Sequence, residues 1–378
     1  MTHPKAAPVL FNTRQAGDYQ VAFATLNVEK ALNALSLEMI DLLYEQLLHW
    51  QQDDTVVCVV LQGAGEKAFC AGGDIRLLYE SMDKPDSNDK GEPPYAVDFF
   101  SREYRLDYLI HCYEKPLICW GQGIVMGGGV GLMSGASHRI VTETTRLAMP
   151  EISIGLYPDV GGSWFLARMP GQVGKFLGLT AAPLNAADAL FAGLADRFLN
   201  NSEHGALCDA LCTESWSSVN EDNHDRVTRL LRRFEKSSIH NLPASLLRKH
   251  YDLINRLMDH STLQQCLDDC LKLETEDRWL QRAVKTFSHG CPTSVYLVVE
   301  QIARCRHLSL KEVFQQELVV SVQCALLGQF REGVRALLID KDNQPQWEPA
   351  SLDAVSQPWL DRFYQPQWGQ AMHPLADL

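Results

Sequence analysis

Two acidic residues stand eight positions apart in a stretch that is otherwise apolar and rich in glycine. Glu151 follows Ala-Met-Pro at 148–150, and Asp159 lies inside Gly-Leu-Tyr-Pro-Asp-Val-Gly-Gly at 155–162. Burial and mutual repulsion push the pKa values of two such carboxyl groups apart, which suits them to general acid–base or nucleophilic chemistry. Glu151 and Asp159 are therefore candidate catalytic residues. The structural alternative is that Glu151 caps a helix and Asp159 begins a turn.

Two glycine-rich segments could present backbone amides to a negative charge. The first is Lys-Ala-Phe-Cys-Ala-Gly-Gly-Asp-Ile at 67–75, where Asp74 can begin a helix. The second is Gly-Gln-Gly-Ile-Val-Met-Gly-Gly-Gly-Val-Gly at 121–131. Glycines that open a helix cost roughly 0.5 to 1 kcal/mol each relative to Ala, so we expect another group to approach this backbone closely. Helix N-termini carry unpaired amides that bind anions and developing oxyanions.

Several common catalytic and cofactor motifs are absent from the sequence. Segment 121–131 is not a dinucleotide fingerprint, because Met126 takes the third glycine position, and no P-loop, G-x-S-x-G or HExxH motif occurs. The 11 cysteines include no CxxC pair, and Cys58 and Cys119 fall inside apolar runs. We therefore expect buried thiols, no metal ion and no disulfide.

Charge and hydropathy exclude further classes of function. The 378 residues include 34 Lys plus Arg and 47 Asp plus Glu, a net charge of −13 that repels nucleic acid and anionic membrane surfaces. The longest apolar run, Val56–Leu61, is far shorter than the roughly 20 residues of a spanning helix. Residues 1–10 show neither an apolar nor an arginine-rich targeting stretch. We expect a cytoplasmic protein that binds neither nucleic acid nor membrane.

The elements that would position these residues alternate between strand and helix in the first half of the chain. Strands are predicted at 19–26, 56–61, 117–120 and 139–142, and a helix with Ser36 as its N-cap follows the first strand. From about 186 to 329 the pattern is mostly helical. This order predicts an α/β core over residues 1–200 that carries the active site, with a helical region over 201–378 packing on it. Residues 81–94 are predicted to form a surface loop, either an inert insertion or a lid.

The order of these segments resembles one family of enzymes. KAFCAGGDI at 67–75, a strand leading into MGGGVG at 126–131, and then MPE and GLYPDVGG at 149–162 resemble the crotonase (enoyl-CoA hydratase/isomerase) superfamily. Within it the chain looks like the 3-hydroxyisobutyryl-CoA hydrolase branch, and CPTS at 291–294 and FREGVRA at 330–336 extend the likeness toward the carboxyl end. The resemblance implies a spiral core of repeated ββα units followed by a C-terminal helical region.

The resemblance also implies a role for individual residues. The family's oxyanion hole, made of two backbone amides, corresponds here to Gly73 and Gly128. The coenzyme A portion would be held near 67–71, at Lys67, Ala68, Phe69 and Ala71. The substrate would contact Glu103, Gly128, Glu151 and Asp159. No separate cofactor is implied, because coenzyme A enters as part of the substrate, and a homo-oligomer is possible.

Departures from the family pattern indicate the reaction. Enoyl-CoA hydratases carry two glutamates that handle one water, and the position of the first is Gly131 in this sequence. Only the second remains, as Glu151, and Asp159 is an additional acid. The resemblance therefore implies hydrolysis of a short 3-hydroxyacyl-CoA, such as the thioester of valine catabolism, with Glu151 as nucleophile or general base and Asp159 assisting. The alternatives are a hydratase or isomerase, or a non-catalytic acyl-CoA-binding protein.

Overall fold

The computed structural model describes residues 7–82, 95–368 and 372–378. The described part of the chain divides into two compact units, each made of three separate stretches. The first unit comprises the residues up to Gly73, then Leu106–Leu147 and Leu184–Arg248, and the second comprises Asp74–Arg105, Ala148–Pro183 and Lys249–Leu378. The boundary expected at residue 200 refers to chain order and stays a prediction. Most of the segment expected as a surface loop or lid, residues 83–94, lies outside the described residues.

A six-stranded sheet forms the framework of the first unit. The strands of the described chain are β1 Val9–Ala16, β2 Tyr19–Leu26, β3 Val56–Gly63, β4 Ala68–Cys70, β5 Leu117–Gly121, β6 Ile124–Met126, β7 His138–Val141, β8 Arg146–Ala148 and β9 Arg197–Phe198. The large sheet has the order β1-β2-β3-β5-β7-β9, and all its pairs are parallel except β1 with β2. Strands β4, β6 and β8 form a second, three-stranded sheet.

The apolar content of the central strands explains their place in the sheet. The six residues of 56–61 are all buried, as expected for a parallel strand that is covered on both faces. The side chains of Cys58 and Cys119 are buried as predicted. Helix α1 begins after Ser36, whose hydroxyl accepts a hydrogen bond from the amide of Met39 at 3.3 Å. The predicted strands and the predicted N-cap are therefore confirmed.

Helices make up most of the second half of the described chain. Their bounds are α1 Leu37–Gln52, α2 Ile75–Met82, α3 Tyr95–His111, α4 Gly128–Ser134, α5 Gly162–Leu166, α6 Val173–Thr180, α7 Ala186–Phe191, α8 His204–Thr213, α9 Asn220–Ser238, α10 Leu246–Met258, α11 Leu263–Leu271, α12 Arg278–His289, α13 Pro292–Cys305, α14 Leu310–Leu326, α15 Gln329–Val334 and α16 Gln357–Asp361. The predicted α/β class with a C-terminal helical region is confirmed. Within the described ranges, we find no helix with both the length and the hydropathy that crossing a membrane requires.

Helix α14 packs against α5 and α15 within the second unit. Its side chains Val313, Phe314 and Leu318 are fully buried. The same helix also buries three polar residues, Glu317, Ser321 and Gln323. Buried polar side chains need hydrogen-bond partners, since an unpaired one costs roughly 1–3 kcal/mol of folding free energy. Helix α14 therefore stabilises the second unit and presents polar groups inside it.

Candidate active site

The two glycine-rich segments pack against each other within the first unit. The amide of Ile124 donates to the carbonyl of Lys67 at 3.0 Å, and the amide of Phe69 donates to the carbonyl of Gln122 at 2.8 Å. A Cβ on Gly129 would lie only 2.3 Å from the carbonyl oxygen of Cys70. One glycine of the Gly-Gly-Gly run is therefore required because the first segment passes directly over it. The predicted close approach to this backbone is observed, and the approaching group is part of the protein.

Gly73 and Gly128, the candidate oxyanion-hole residues, lie in adjacent turns of the two glycine-rich segments. Gly73 forms an isolated parallel bridge with Leu35, next to Gly72 at φ +102°. Gly128 is the first residue of α4. A Cβ on Gly72 would lie 3.7 Å from the backbone nitrogen of Gly128, so the two turns adjoin. Adjacent backbone amides at such turns can stabilise negative charge. The assignment of Gly73 and Gly128 as the oxyanion hole stays a prediction.

The segment expected to hold coenzyme A is hydrogen-bonded to neighbouring segments of the first unit. The side chains of Ala68 and Phe69 are buried, whereas that of Lys67 is exposed. The carbonyl of Ala68 accepts from the side-chain amide of Asn33 at 3.0 Å, and the amide of Ala71 donates to the carbonyl of Leu32 at 3.0 Å. Lys67 is the residue among these four whose side chain faces solvent. Their role in coenzyme A binding stays a prediction.

The three acidic residues expected at the site are all buried in the second unit. Glu103 lies on α3, Glu151 opens a short 3₁₀ helix at 151–154, and Asp159 lies in the turn before α5. Their side chains are only 3%, 4% and 4% exposed, respectively. The turn at Asp159 is tight, because Val160 and Gly161 both adopt positive φ angles of 52° and 85°. The two acids that the sequence singled out are thus both buried, together with Glu103.

Burial raises the pKa of all three carboxyl groups. Desolvation raises the pKa of Asp159 to about 6, while hydrogen bonds from Tyr104, from its own backbone and from Ser321 act in the opposite direction. Burial, and then the negative charge of Asp159, raise the pKa of Glu103 and Glu151 well above the ordinary value. The charge of Glu103 adds a smaller upward contribution to the pKa of Glu151. Carboxyl groups perturbed in this way are typical of acid–base and nucleophilic sites.

Glu151 does not serve as a side-chain cap. The 3₁₀ helix that it opens has Pro150 as its N-cap and no side-chain capping hydrogen bond. The Oε2 atom of Glu151 is buried, and no hydrogen-bond partner for it exists among the described residues. Buried polar atoms without partners are rare, and each requires a functional or structural explanation. The arrangement leaves Oε2 of Glu151 able to act on a bound molecule.

Asp159 begins a turn and also carries an engaged side chain. Its carbonyl accepts from the amide of Gly162 at 2.7 Å, as the structural alternative expected. Its Oδ2 atom in addition accepts from the hydroxyl of Tyr104 at 2.5 Å. The two expectations for Asp159 are therefore compatible, because the backbone makes the turn and the carboxylate points to Tyr104.

Four buried residues around Asp159 were not anticipated from the sequence. They are polar groups in apolar surroundings: Tyr104, Tyr157, Glu317 and Ser321. Glu317 accepts from the amides of Gly161 and Ser163 at 2.8 and 2.9 Å. Burial, followed by the charge of Asp159, raises the pKa of Glu317 to about 8, and the two amides oppose this shift. The one available signal was the occurrence of polar residues at 317 and 321 in an apolar helical pattern.

The buried acids do not belong to a metal-binding cluster in the described part of the chain. Within residues 7–82, 95–368 and 372–378, no cluster of His, Cys, Asp and Glu side chains has the arrangement of a metal site.

Comparison with known proteins identifies the family. The model of the enoyl-CoA hydratase/isomerase family matches residues 21–364. The chain belongs to this family. Membership of the crotonase superfamily, which the glycine-rich segments and the MPE segment predicted, is thereby confirmed.

Three curated relatives of this crotonase-family protein share one name. The chain is 35% identical over 367 residues to the mitochondrial 3-hydroxyisobutyryl-CoA hydrolase of Gallus gallus, a match that covers 96% of this chain and 90% of that protein. It is 38% identical to the enzyme of the same name from Danio rerio, covering 90% and 86% of the two chains. The human enzyme of that name is 36% identical, with coverage of 90% and 85%.

Solved structures of the crotonase family share the architecture. A protein described as a carnitinyl-CoA dehydratase from Mycobacterium thermoresistibile is 32% identical, with a TM-score of 0.81 and coverage of 95% of this chain and 96% of that one. A structure described as an enoyl-CoA hydratase from Rhodobacter sphaeroides 2.4.1 is 31% identical, with a TM-score of 0.80 and coverage of 96% and 99%. These likenesses extend over the helical second half as well as the sheet.

The expectation of a cytoplasmic protein is wrong in the light of these relatives. Each of the curated hydrolases described above is named as a mitochondrial enzyme. The expectation was based on the composition of residues 1–10. Targeting segments are removable and contribute nothing to the packed fold, so ten residues at one end are a poor guide to location.

Proposed function

We propose that this crotonase-family protein hydrolyses the thioester bond of a short 3-hydroxyacyl-CoA. The substrate we propose is 3-hydroxyisobutyryl-CoA, with 3-hydroxyisobutyrate and coenzyme A as products, a step of valine catabolism. The names of the curated relatives support this reaction. The observation that carries it in the structure is Glu151, which is buried beside two other carboxyl groups with Oε2 unpartnered among the described residues.

The amides of Gly73 and Gly128 stabilise the thioester oxygen in the proposed mechanism. Negative charge develops on this oxygen when the acyl carbon becomes tetrahedral. Two backbone donors that are already oriented stabilise this charge without reorganisation, and the loss of one such donor typically costs about 10²- to 10³-fold in rate. The support for these roles is the family membership and the contact between the two turns.

Glu151 attacks the acyl carbon or activates water. In the nucleophilic route, Oε2 bonds to the acyl carbon and the carbon–sulfur bond breaks, which releases the thiolate of coenzyme A and leaves a mixed anhydride. Water then hydrolyses the anhydride and restores the carboxylate. In the general-base route, Glu151 accepts a proton from the attacking water, and this proton passes to the departing sulfur. Both routes require Glu151 to be ionised, although burial raises its pKa.

Asp159 and Glu103 recognise the acyl group in this proposal. A carboxylate at Asp159 can accept a hydrogen bond from the 3-hydroxyl of the substrate, and a site built to bind a hydroxyl discriminates strongly against analogues that lack it. Glu103 provides a further buried carboxyl group. One methyl group distinguishes 3-hydroxyisobutyryl-CoA from 3-hydroxypropionyl-CoA, and such a difference contributes only about 1–3 kcal/mol. We therefore expect turnover of both, and little of isobutyryl-CoA.

Hydration or dehydration is the second candidate function, because the structures with TM-scores of 0.81 and 0.80 are described as a dehydratase and a hydratase. Release of free thiol from 3-hydroxyisobutyryl-CoA and hydration of crotonyl-CoA distinguish the two functions. Gly131, which cannot transfer a proton, occupies the position of the first hydratase glutamate. We expect thiol release without hydration. Hydration without thiol release would reject the hydrolase.

The nucleophilic and general-base routes differ in whether an anhydride forms. Borohydride added during turnover reduces an anhydride on Glu151 to the alcohol, which mass spectrometry of the peptide with residue 151 detects. A modified Glu151 that depends on substrate supports the nucleophilic route.

A further inference from the structure

Tyr104 connects the carboxylate of Asp159 to helix α14. Its hydroxyl oxygen lies 2.5 Å from Oδ2 of Asp159 and 2.7 Å from Oγ of Ser321. An ionised carboxylate can only accept hydrogen bonds, and a phenol has one proton. The phenolic proton therefore goes to Asp159, and the phenolic oxygen is left to accept from the hydroxyl of Ser321.

Ser321 is itself fixed in place by a second tyrosine. The hydroxyl oxygen of Tyr157 lies 3.0 Å from Oγ of Ser321 and 3.0 Å from the carbonyl oxygen of Glu317. Because the proton of Ser321 goes to Tyr104, the one phenolic proton of Tyr157 is shared between these two acceptors. All of these side chains are buried. The hydrogen bonds thus run without a break from Asp159 through Tyr104, Ser321 and Tyr157 to the backbone of α14.

Helix α14 also fixes the backbone that carries Asp159. Glu317 lies one helical turn before Ser321, so both side chains share one face of the helix. The carboxylate of Glu317 accepts from the amides of Gly161 and Ser163, which directly follow the Asp159 turn. One face of α14 therefore holds both the backbone of this turn and the phenol that contacts its carboxylate.

We propose that Tyr104 is a positioning residue, which orients the carboxylate of Asp159 by hydrogen bonding to Oδ2, and that Ser321 holds Tyr104 in place. This inference rests on the proposed function, since it gives Tyr104 a role in thioester hydrolysis through Asp159. A hydrogen bond to one carboxylate oxygen restricts rotation of the group, so the other oxygen has one preferred direction toward substrate. Tyr104 itself does not contact the reacting atoms in this scheme.

The electrostatics of Asp159 agree with this role. Several groups interact with its charge: Glu103 and Tyr104 on α3, Glu151, Tyr157 on its own segment, and Glu317 and Cys324 on α14. The hydrogen bond from Tyr104 lowers the pKa of Asp159 against the effect of burial. Loss of the phenolic hydroxyl must therefore move the titration of Asp159 to higher pH.

Tyr104→Phe tests the proposal with thiol release from 3-hydroxyisobutyryl-CoA, measured across pH. We expect kcat to fall about 10- to 100-fold, the size expected for one hydrogen bond to a charged group, with little change in KM. The acidic limb of the kcat/KM profile should move to higher pH, because this profile reflects the pKa of Asp159 in the free enzyme. Ser321→Ala should act in the same direction with a smaller effect. The matched control is Tyr113→Phe, which removes another buried hydroxyl, one that donates to the carbonyl of Leu47 at 2.8 Å.

Infrared difference titration of the carboxyl groups, with Asp159→Asn to assign the Asp159 band, gives a readout that does not depend on turnover. A wild-type protein that releases no thiol contradicts the proposed function, while a higher titration of Asp159 in Tyr104→Phe still supports the hydrogen bond. An active wild type with an unchanged Tyr104→Phe profile and titration overturns the proposal. Equal losses in Tyr104→Phe and Tyr113→Phe, with no shift in pH, also overturn it, because they indicate a structural role alone.

Discussion

At Glu151 the requirements of catalysis and of stability oppose each other. The side chain is 4% exposed, and Oε2 has no hydrogen-bond partner among the described residues. Burial favours the neutral form and raises the pKa of this carboxyl. The contribution of such a group to stability is fully present below its unfolded-state pKa and is lost as the pH rises through its folded-state pKa. Glu151 therefore destabilises the protein at the pH where the proposed mechanism needs its ionised form.

Glu151→Gln should consequently be inactive and more stable. An amide keeps the shape of the side chain and has no charge to desolvate, so we expect the free energy of unfolding to increase by about 1–3 kcal/mol. The gain should be larger at pH 8 than at pH 5. Urea denaturation at both pH values measures it, and Glu45→Gln on the exposed face of α1 is the control. A loss of stability at pH 8 would contradict this account.

The pH dependence of the wild type should reflect Asp159. Burial raises its pKa to about 6, and a carboxylate is the form that accepts from a substrate hydroxyl. We expect kcat/KM to rise with pH through this region. The Asp159→Asn variant should not show this acidic limb of the pH profile. Thiol release at saturating and limiting substrate, from pH 5 to pH 8, provides the profile. An unchanged acidic limb in Asp159→Asn would assign it to another group.

Glu151 and Asp159 were predictable from the sequence, whereas the residues that hydrogen-bond to Asp159 were not. Glu151 and Asp159 stood out because carboxyl groups in an apolar, glycine-rich stretch are unusual, and both are buried. Tyr104 and Ser321 could not be found in this way, since 217 positions separate them and only the packing of α14 brings their hydroxyls together. Residue type and local spacing indicate which side chains could do chemistry. The residues that hydrogen-bond to those side chains depend on tertiary structure.

Helix α4 needs a glycine at position 129 because the backbone of the other glycine-rich segment lies against it. A Cβ at Gly129 would lie 2.3 Å from the carbonyl oxygen of Cys70, closer than real Cβ atoms approach. Gly129→Ala should therefore separate the two glycine-rich segments, destabilise the fold by about 1–3 kcal/mol and lower kcat. Thermal unfolding and thiol release measure the two effects.

Gly205 on α8 is the matched control for this substitution. A Cβ there would meet no atom within 4 Å. Gly205→Ala should be neutral or stabilising by about 0.4–1 kcal/mol, because it reduces the conformational freedom of the unfolded chain without a clash. Similar losses in both variants would show that the contact with Cys70 is not responsible.

The elements that sequence patterns predicted well are those with long periodic signals. Strand β3 was predicted at 56–61 and is observed at Val56–Gly63, and helix α1 begins directly after the predicted N-cap Ser36. Strands β4, β6 and β8 have only three residues each and were not anticipated. Such short strands have no period of their own, and they form because neighbouring backbone segments pair with them.

In the molecule as a whole, residues that are close in the sequence do not always belong to the same compact unit. Each compact unit combines three stretches of chain, so the described fold is held together by contacts between distant segments. The candidate amides of Gly73 and Gly128 belong to the first unit, and the carboxyl groups of Glu103, Glu151 and Asp159 belong to the second. A periodic pattern in the sequence contains no information about this grouping. The contrast between an α/β half and a helical half was nevertheless predictable, because hydrophobic periodicity changes along the chain.

The net charge of the molecule must also be reconciled with a polyanionic substrate. A charge of −13 repels the phosphates of coenzyme A, so we expect a local cation to guide them. Lys67 is exposed and adjoins the segment that the family resemblance assigns to coenzyme A. Lys67→Gln should lower kcat/KM several-fold at low salt, and the loss should shrink at high salt, where a Debye length of about 3 Å at 1 M screens the interaction.

A thioester of pantetheine, which lacks the nucleotide phosphates, separates this electrostatic role from a structural one. Lys67→Gln should leave kcat/KM for the pantetheine thioester unchanged, and Lys30→Gln, at another exposed lysine, should leave both substrates unaffected. Equal losses on the two thioesters would instead show that Lys67 supports the fold of the glycine-rich segments. An unchanged kcat/KM for the coenzyme A thioester at low salt would mean that the acidic protein attracts its substrate through other cations.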